Sequence, residues 1–267
     1  MPRALIVTAD DFGDSPDVNA AVRRAYTEGI LRFASLMALR PAAAEAAAIA
    51  REHPGLGVGL HLELCAEEPE KAGLRYAFDA RARAGLEGEI RRQIEALLAL
   101  GVVPTHVDGH MNVHVHPVVF PTLCRLAREY KIARVRLPSG EYGACRSFPG
   151  SDRALPTAAL AATFAAMGAW VRGSARGLEV PTTWGLLRSG RMSEDYVVWL
   201  LARLPEGTTE IYFHPSSDPR SISGDHPTPT HQTIGELETL LSPRVRRALE
   251  ASGAELVSAR PRASAAR

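Results

Sequence analysis

The chain opens on an apolar run, Ala4 to Ala9, that ends abruptly in Asp10, Asp11 and a Phe12-Gly13 turn. A short continuous apolar segment delivering polar residues at its C-terminal end predicts a buried strand of a parallel sheet. Ser15 and Pro16 then suit the start of a helix, with Val18, Ala21, Val22, Ala25, Tyr26 and Ile30 on one stripe and Gly29 as its stop. The alternation repeats. Phe33 to Leu39 reads as a strand, the alanine-rich stretch from Pro41 to His53 as a helix, and Leu56 to Leu64, carrying His61, as a third strand. A polar excursion over residues 66–83 is expected to form a loop or lid. Leu86 to Leu100 shows helical spacing at Ile90, Ile94, Leu97 and Leu98, and "PTHVDGH" is again a strand ending in polar residues.

Further along, the pattern predicts a helix from Phe120 to Tyr130, a strand from Ala133 to Pro138, an irregular region, and a helix near Leu155 to Arg172. A helix from Glu194 to Leu204, a strand from Thr209 to Pro215, a helix around Leu237 to Ala251 and a short strand "AELVS" complete the series. At least six rounds of strand and helix, with no break in composition, predict one parallel α/β domain over residues 1–267. The count favours a (β/α) barrel of the TIM-like type, complete or distorted, over an open doubly wound sheet. No GxGxxG or Walker sequence follows the first strand. In a barrel the strand C-termini converge on one face, and Asp10, Asp11, His61, His106, Asp108, His110, Arg136 and His214 all fall at such positions.

Composition narrows the function classes. With 31 Lys+Arg against 30 Asp+Glu, the chain has no electrostatic footprint for nucleic acid, and no nucleic-acid partner is expected. Cys65, Cys124 and Cys145 are scattered without a CxxC pair, which fits a reducing compartment rather than a disulfide framework. The N-terminal apolar run is too short for a signal-peptide core, so the cytoplasm is the expected location. The one irregularity is that four of the nine histidines lie between His106 and His116.

The chemistry sits in these clusters. Adjacent carboxylates on a regular strand face opposite sides, so Asp10 and Asp11 can serve one site only if the chain turns there, as Phe12-Gly13 permits. One could then bind a cation while the other takes a proton from water; the plainer role is capping the helix that follows. His61 alone reads as a core histidine. His106, Asp108, His110, Asn112, His114 and His116 occupy alternate positions, which on one face of a buried strand is costly unless they line a wet, metal-bearing cavity. Gly109 is expected to end that strand before the series finishes. Imidazole with carboxylate suits zinc, iron, manganese or cobalt, and with more water magnesium. Arg136 could clamp a carboxylate at the site or make a surface ion pair, and His214 could act as a general acid near neutral pH.

"TADDFG", "GLHLEL", "THVDGHMNVHVHP", "RLP" and the "HP" after the late strand, in this order, resemble the YdjC/ChbG-like carbohydrate deacetylases, over Leu5 to about Val257. "GLLRSGRMSEDYVVWLLARLPEG" and "HPTPTHQTIGELETLLSP" look like the branch associated with hopanoid biosynthesis. The resemblance implies a metal-dependent N-deacetylase acting on an N-acetylated sugar or glycolipid, with an N-acetylglucosaminyl hopanoid as the implied substrate and a chitooligosaccharide as the alternative. It implies one divalent ion, magnesium or zinc, on Asp11, His61 and His110, with Asp10 as base, Arg136 orienting Asp10, and His214 as acid. His106 and Asp108 then fix imidazole orientation. Many relatives carry histidine where this chain has Asn112, outside the implied ligand set. A hopanoid would be membrane-resident, so peripheral contact is implied, with Leu74, Tyr76 and Phe78 as candidates to touch lipid. The sequence leaves the oligomeric state open, a homodimer among the choices.

Two other classes fit the barrel. A two-metal hydrolase bridged by a modified lysine is disfavoured because Lys71 and Lys131 are the only lysines and neither ends a strand. A non-catalytic glycolipid-binding protein is disfavoured because it has no need of both Asp10 and His214.

Overall fold

The computed structural model describes residues 2–65, 68–149, 154–218 and 233–259. The apolar run at the N-terminus becomes β1 (Arg3–Phe12), the centre of the sheet. Around it lie β2 (Phe33–Leu36), β3 (Gly57–Leu62), β4 (His106–Gly109), β5 (Arg134–Val135), β6 (Thr182–Trp184), β7 (Gly207–Phe213) and β8 (Glu255–Leu256). All pairings are parallel, in the order β5-β4-β3-β2-β1-β7-β6, with β8 paired to the start of β1. The two ends of this path meet only at single parallel bridges, Arg134 with Glu179 and Pro138 with Thr183. The expected barrel is therefore barrel-like rather than a closed TIM ring: among the described residues no continuous ladder seals the seam between β5 and β6.

Among the described residues ten α-helices cover the sheet: α1 (Pro16–Glu28), α2 (Ala43–Glu52), α3 (Pro69–Phe78), α4 (Ala80–Ala99), α5 (Val119–Glu129), α6 (Tyr142–Arg146), α7 (Ala154–Val171), α8 (Glu194–Leu201), α9 (Ile234–Leu241) and α10 (Pro243–Ser252). α1 starts as expected, its Ser15 Oγ accepting from the Val18 N–H at 3.3 Å. Its stop at Gly29 has a different cause from the left-handed cap. Gly29 has φ −115°, and a Cβ there would lie 2.4 Å from the Leu240 carbonyl oxygen, so close approach of α9 demands the glycine. The expected helix around 237–251 is two helices, because Ser242 caps Pro243 and the residues after it through bonds from Arg244 N and Val245 N. Over its described residues, 68–83, the polar excursion is helical rather than a loop: α3 runs into Asp79, whose carboxylate caps α4. β6 lies between the helices expected at 155–172 and 194–204, where no element was expected, and β5 is shorter than its expected strand.

The core is one continuous cluster. Leu5, Val7 and Ala9 of β1 pack with Val18, Ala21, Val22 and Ala25 of α1, and Leu60 and Leu62 of β3 with Ile90 and Ile94 of α4. This burial fixes the strand C-termini, where the polar residues gather.

Candidate active site

β1 brings two adjacent carboxylates to the same place. The strand slips register against β2 between Ala9 and Phe12, and Asp11 itself adopts a left-handed backbone, φ 60°. The turn that the pair requires thus falls at Asp11, one residue before the expected Phe12-Gly13. A bulge with its extra residue in a left-handed conformation re-aims a side chain, and aspartate tolerates that conformation better than most residues. Both Asp10 and Asp11 are buried.

Asp11 Oδ1 lies 3.0 Å from His110 Nδ1 and 3.2 Å from His61 Nε2. The two imidazoles meet edge to face with centroids 5.6 Å apart. His110 reaches this position because β4 ends at Gly109 and the chain turns into a short 3-10 segment, His110–Val115, in which Met111 and Asn112 both have positive φ. Two consecutive non-glycine residues in that region cost on the order of 1–2 kcal/mol each, strain that the surrounding packing must hold. The expected two-residue alternation therefore stops where Gly109 was expected to stop it. Beyond it, His114 Nε2 bonds the Arg136 carbonyl, and His116 Nδ1 accepts from Val118 N.

His61 is held from behind. Its Nδ1 is 2.7 Å from Asp108 Oδ1 and donates its proton to that carboxylate, which leaves Nε2 directed toward Asp11. That buried Nε2 makes no well-formed hydrogen bond despite the nearby carboxylate, so a ring nitrogen is left aimed at the spot shared by Asp11 and His110, able to hold a dication once it gives up its proton. Asp108 Oδ2 in turn accepts from Ser35 Oγ at 2.7 Å and lies 2.9 Å from Arg136. His106 reaches this carboxylate through Ser35, whose Oγ is 3.0 Å from its Nε2. Its ring lies so close over β3 that a Cβ at Gly59 would come within 2.5 Å of it.

Arg136 is the hub. It donates to both oxygens of Asp10, at 2.5 and 2.8 Å, and to Glu210 Oε1 at 3.0 Å, and its guanidinium stacks 4.3 Å above Tyr212. It is a buried clamp on Asp10, not a surface ion pair. His214 closes the group, with Nε2 3.8 Å from Asp10 Oδ2 and Nδ1 3.3 Å from Ser189 Oγ.

The electrostatics follow from burial. Burial, against the pull of Arg136, pushes Asp10 up to about 6. Asp11 stays well below the usual carboxylate range, because His110 and His61 outweigh its burial. Burial opposes a charge on His61, but Asp10, Asp108 and Asp11 together push it up to about 10. Burial drives His106 down to about 3 and His114 down to about 4, so both are neutral at pH 7. Asp10, Asp108 and Glu210 meet the Arg136 guanidinium and Asp11 lies against His61 and His110, so four buried carboxylates face one guanidinium and the His61 ring, a surplus of negative charge that a dication would balance.

Two triads bring ligand atoms within 4.8 Å of one another: Asp11, His61 and His110, and Asp10, His61 and Asp108. The first suits a metal better. The oxygens of Asp10 and Asp108 are already taken by Arg136, Ser35 and the His61 Nδ1 proton, whereas the Nε2 of His61 is unsatisfied. Nitrogen and carboxylate ligands in this mixture fit a zinc-type or magnesium-type dication, with positions left for water and substrate.

The cluster forms the floor of a cavity of about 400 Å³. Its walls come from Pro69 and Gly73 of α3, Met111 and Asn112, and Leu160, Phe164 and Met167 of α7. Of the residues expected to touch lipid, Leu74 and Phe78 are exposed, but Tyr76 is buried against the His116 ring, 6.4 Å between centroids. His226 and His231 lie outside the described residues.

Several site residues escaped the sequence patterns. Glu210 also accepts from Thr8 Oγ1 at 2.8 Å, and Glu236 receives the His214 backbone N–H at 2.5 Å and that of Met192 at 3.0 Å. Burial pushes Glu236 up to about 7. The signal for Glu210 was present: Glu210, Tyr212 and His214 alternate along β7 and so share one face. Glu236 had none, since it reaches the site from α9.

Parallel strands whose C-terminal ends gather a buried cluster of carboxylates, histidines and one arginine define the class: a barrel-like α/β chain with a polar centre at the mouth. The chain belongs to the YdjC-like protein family, whose model matches residues 4–251. It is 40% identical to a carbohydrate deacetylase of Geobacillus stearothermophilus over 49% of this chain and 59% of that one. The chain thus spans little more than half the length of that relative. A carbohydrate deacetylase of Mus musculus is 31% identical over 96% of this chain and 94% of its own. A chitooligosaccharide deacetylase of Serratia marcescens is 36% identical over 45% of this chain and 54% of its own. Among solved structures, an Enterococcus faecalis protein described as a cellobiose-phosphate cleavage protein superposes with a TM-score of 0.70 at 22% identity, over 96% of this chain and 97% of that one. That likeness concerns the fold alone.

Proposed function

We propose that the chain is a metal-dependent deacetylase that hydrolyses the acetamide of an N-acetylated sugar. The observation that carries this reading is the orphaned Nε2 of His61, fixed by Asp108 and converging with His110 Nδ1 on Asp11. Carbohydrate deacetylase relatives over most of the chain support the reaction class. A dication on Asp11, His61 and His110 would supply carbonyl polarisation and acidify the attacking water. Asp10, held bidentately by Arg136, takes a proton from that water as its oxygen attacks the acetamide carbon. His214, steadied by Ser189, gives a proton to the nitrogen as the C–N bond breaks, releasing acetate and the free amine.

The finer substrate in this reading is an N-acetylglucosaminyl hopanoid, supported by the branch-like phrases of the second half of the sequence. Such a substrate would be met at the cytoplasmic face of a membrane. No helix among the described residues is long and apolar enough to cross one, so contact would be peripheral. The test is acetate release from N-acetylglucosaminyl hopanoid and from N-acetylated chitobiose in parallel, with and without chelator. Chelator-sensitive release that falls at least about a hundredfold in His214→Ala and Asp10→Asn is the expected result. Release that persists in a metal-stripped His110→Ala protein would defeat the scheme.

A further inference from the structure

α7 carries no charged residue from Ala154 to Val171. A helix apolar on all sides is ordinarily buried, yet this one stands largely in solvent, with Leu155 83% and Trp170 80% exposed. Cavities lie along two of its faces. Leu160, Phe164 and Met167 wall the catalytic cavity. Ala161, Ala165 and Gly168 line a second cavity of about 420 Å³, whose far wall includes Leu137 and Leu187. Phe164 and Leu186 belong to both linings, so the two spaces adjoin at these side chains beside the helix. Small residues on this face leave room where larger side chains would have closed the gap.

One acid borders the second cavity, but it is already satisfied. Glu141 Oε2 accepts from the backbone N–H groups of Gly185 and Leu187, and Oε1 from the Tyr196 hydroxyl. Ser139, Tyr142, Thr183 and Arg172 also line the space, Tyr142 and Arg172 being exposed and the Thr183 hydroxyl already bonded. The rest of the lining is apolar side chain and glycine, an apolar wall with few polar anchors for a second sugar.

We propose that this second cavity is an aglycone subsite: it takes the apolar part of an N-acetylated glycoside whose sugar sits over Asp10, His61 and His110. The proposal rests on the deacetylase reading, and it assigns α7 as the element that selects glycosides with a long apolar aglycone. A short sugar fills only the catalytic cavity. An aglycone leaving it past Phe164 enters the trough and covers α7, each methylene removed from water strengthening binding about fourfold.

The test uses the full chain and a series of alkyl N-acetylglucosaminides, methyl to octyl, kept below micelle-forming concentrations. Calorimetric binding and acetate release are measured on each. The expected result is affinity and kcat/KM that climb steeply with alkyl length and then level off. In Ala161→Phe and Ala165→Trp the climb flattens while release from the methyl glycoside is unchanged. Ala166→Trp adds the same bulk at an exposed position that lines neither cavity, and keeps the climb. A flat wild-type series overturns the proposal, as does flattening by Ala166→Trp, which would mean a loosened helix. A dimer in sedimentation that Ala165→Trp dissociates, with a flat series, would give this face to a second copy instead. Length-dependent binding without acetate release would defeat the deacetylase reading and leave the subsite standing. Release without length dependence would do the reverse.

Discussion

Asp108→Asn probes the site without emptying it. In the native protein Asp108 Oδ1 takes the His61 Nδ1 proton at 2.7 Å, while Oδ2 faces Ser35 Oγ at 2.7 Å and Arg136 at 2.9 Å. An asparagine must keep its carbonyl oxygen toward those donors, because an amide NH2 there would oppose a guanidinium. Its NH2 then faces His61 Nδ1 and demands an acceptor, which favours the tautomer with its proton on Nε2, the atom a dication needs bare. Losing such a supporting group typically weakens metal binding by about 10- to 100-fold, or about 1.4 to 2.8 kcal/mol. The lost negative charge acts in the same direction. Titration of zinc or magnesium into the metal-stripped protein, followed by calorimetry, measures the change directly. Ser35→Ala serves as the comparison: it removes one donor but leaves the tautomer alone, so its effect is smaller. Native metal affinity in Asp108→Asn, or a larger loss in Ser35→Ala, would refute the tautomer reasoning.

Two further outcomes follow from burial. A base works in its unprotonated form, so with Asp10 pushed up to about 6, acetate release rises as pH climbs through that value and is lost below it. Arg136→Lys, which loses the two-pronged hold on Asp10, moves the midpoint upward, whereas a pH–rate profile flat through that region contradicts the role. Cys65, Cys124 and Cys145 are all buried and none is in a disulfide, and burial pushes the Cys124 thiol up to about 12. An aromatic disulfide reagent at mildly alkaline pH therefore titrates no thiol until the chain is unfolded, and fast reaction in the native protein would contradict that burial.

Much of the scaffold was legible from hydrophobic periodicity, because parallel strands buried on both faces leave unmistakable apolar runs. β1, β3, β4 and β7 end where their polar residues begin, and those ends located Asp10, Asp11, His61, Asp108, His110 and His214 together. Arg136 was placed too, but not its reach. A side chain that meets Asp10, Asp108 and Glu210 at once depends on three strands arriving at fixed heights, which no local pattern encodes. Excursion 66–83 misled because its composition is polar, yet α3 and α4 expose most of those polar groups and bury only a stripe, Ala72, Tyr76, Leu86 and Ile90. β6, three residues long, is strand through pairing with β7 and carries too little periodicity to declare itself.

The left-handed Asp11 ties the proposed base to a proposed ligand by one trans peptide, about 3.8 Å between Cα atoms. That spacing is a property of backbone covalent geometry, at the centre of the sheet, in a strand paired on both sides. Rearrangements of the rim, in α3 or α7, can shift a bound sugar relative to this pair but cannot open or close the pair itself. Substrate range and reactive geometry are thereby inherited from separate parts of the chain, so a redesigned or diverged α7 can change what is bound while the same two carboxylates keep the same reach.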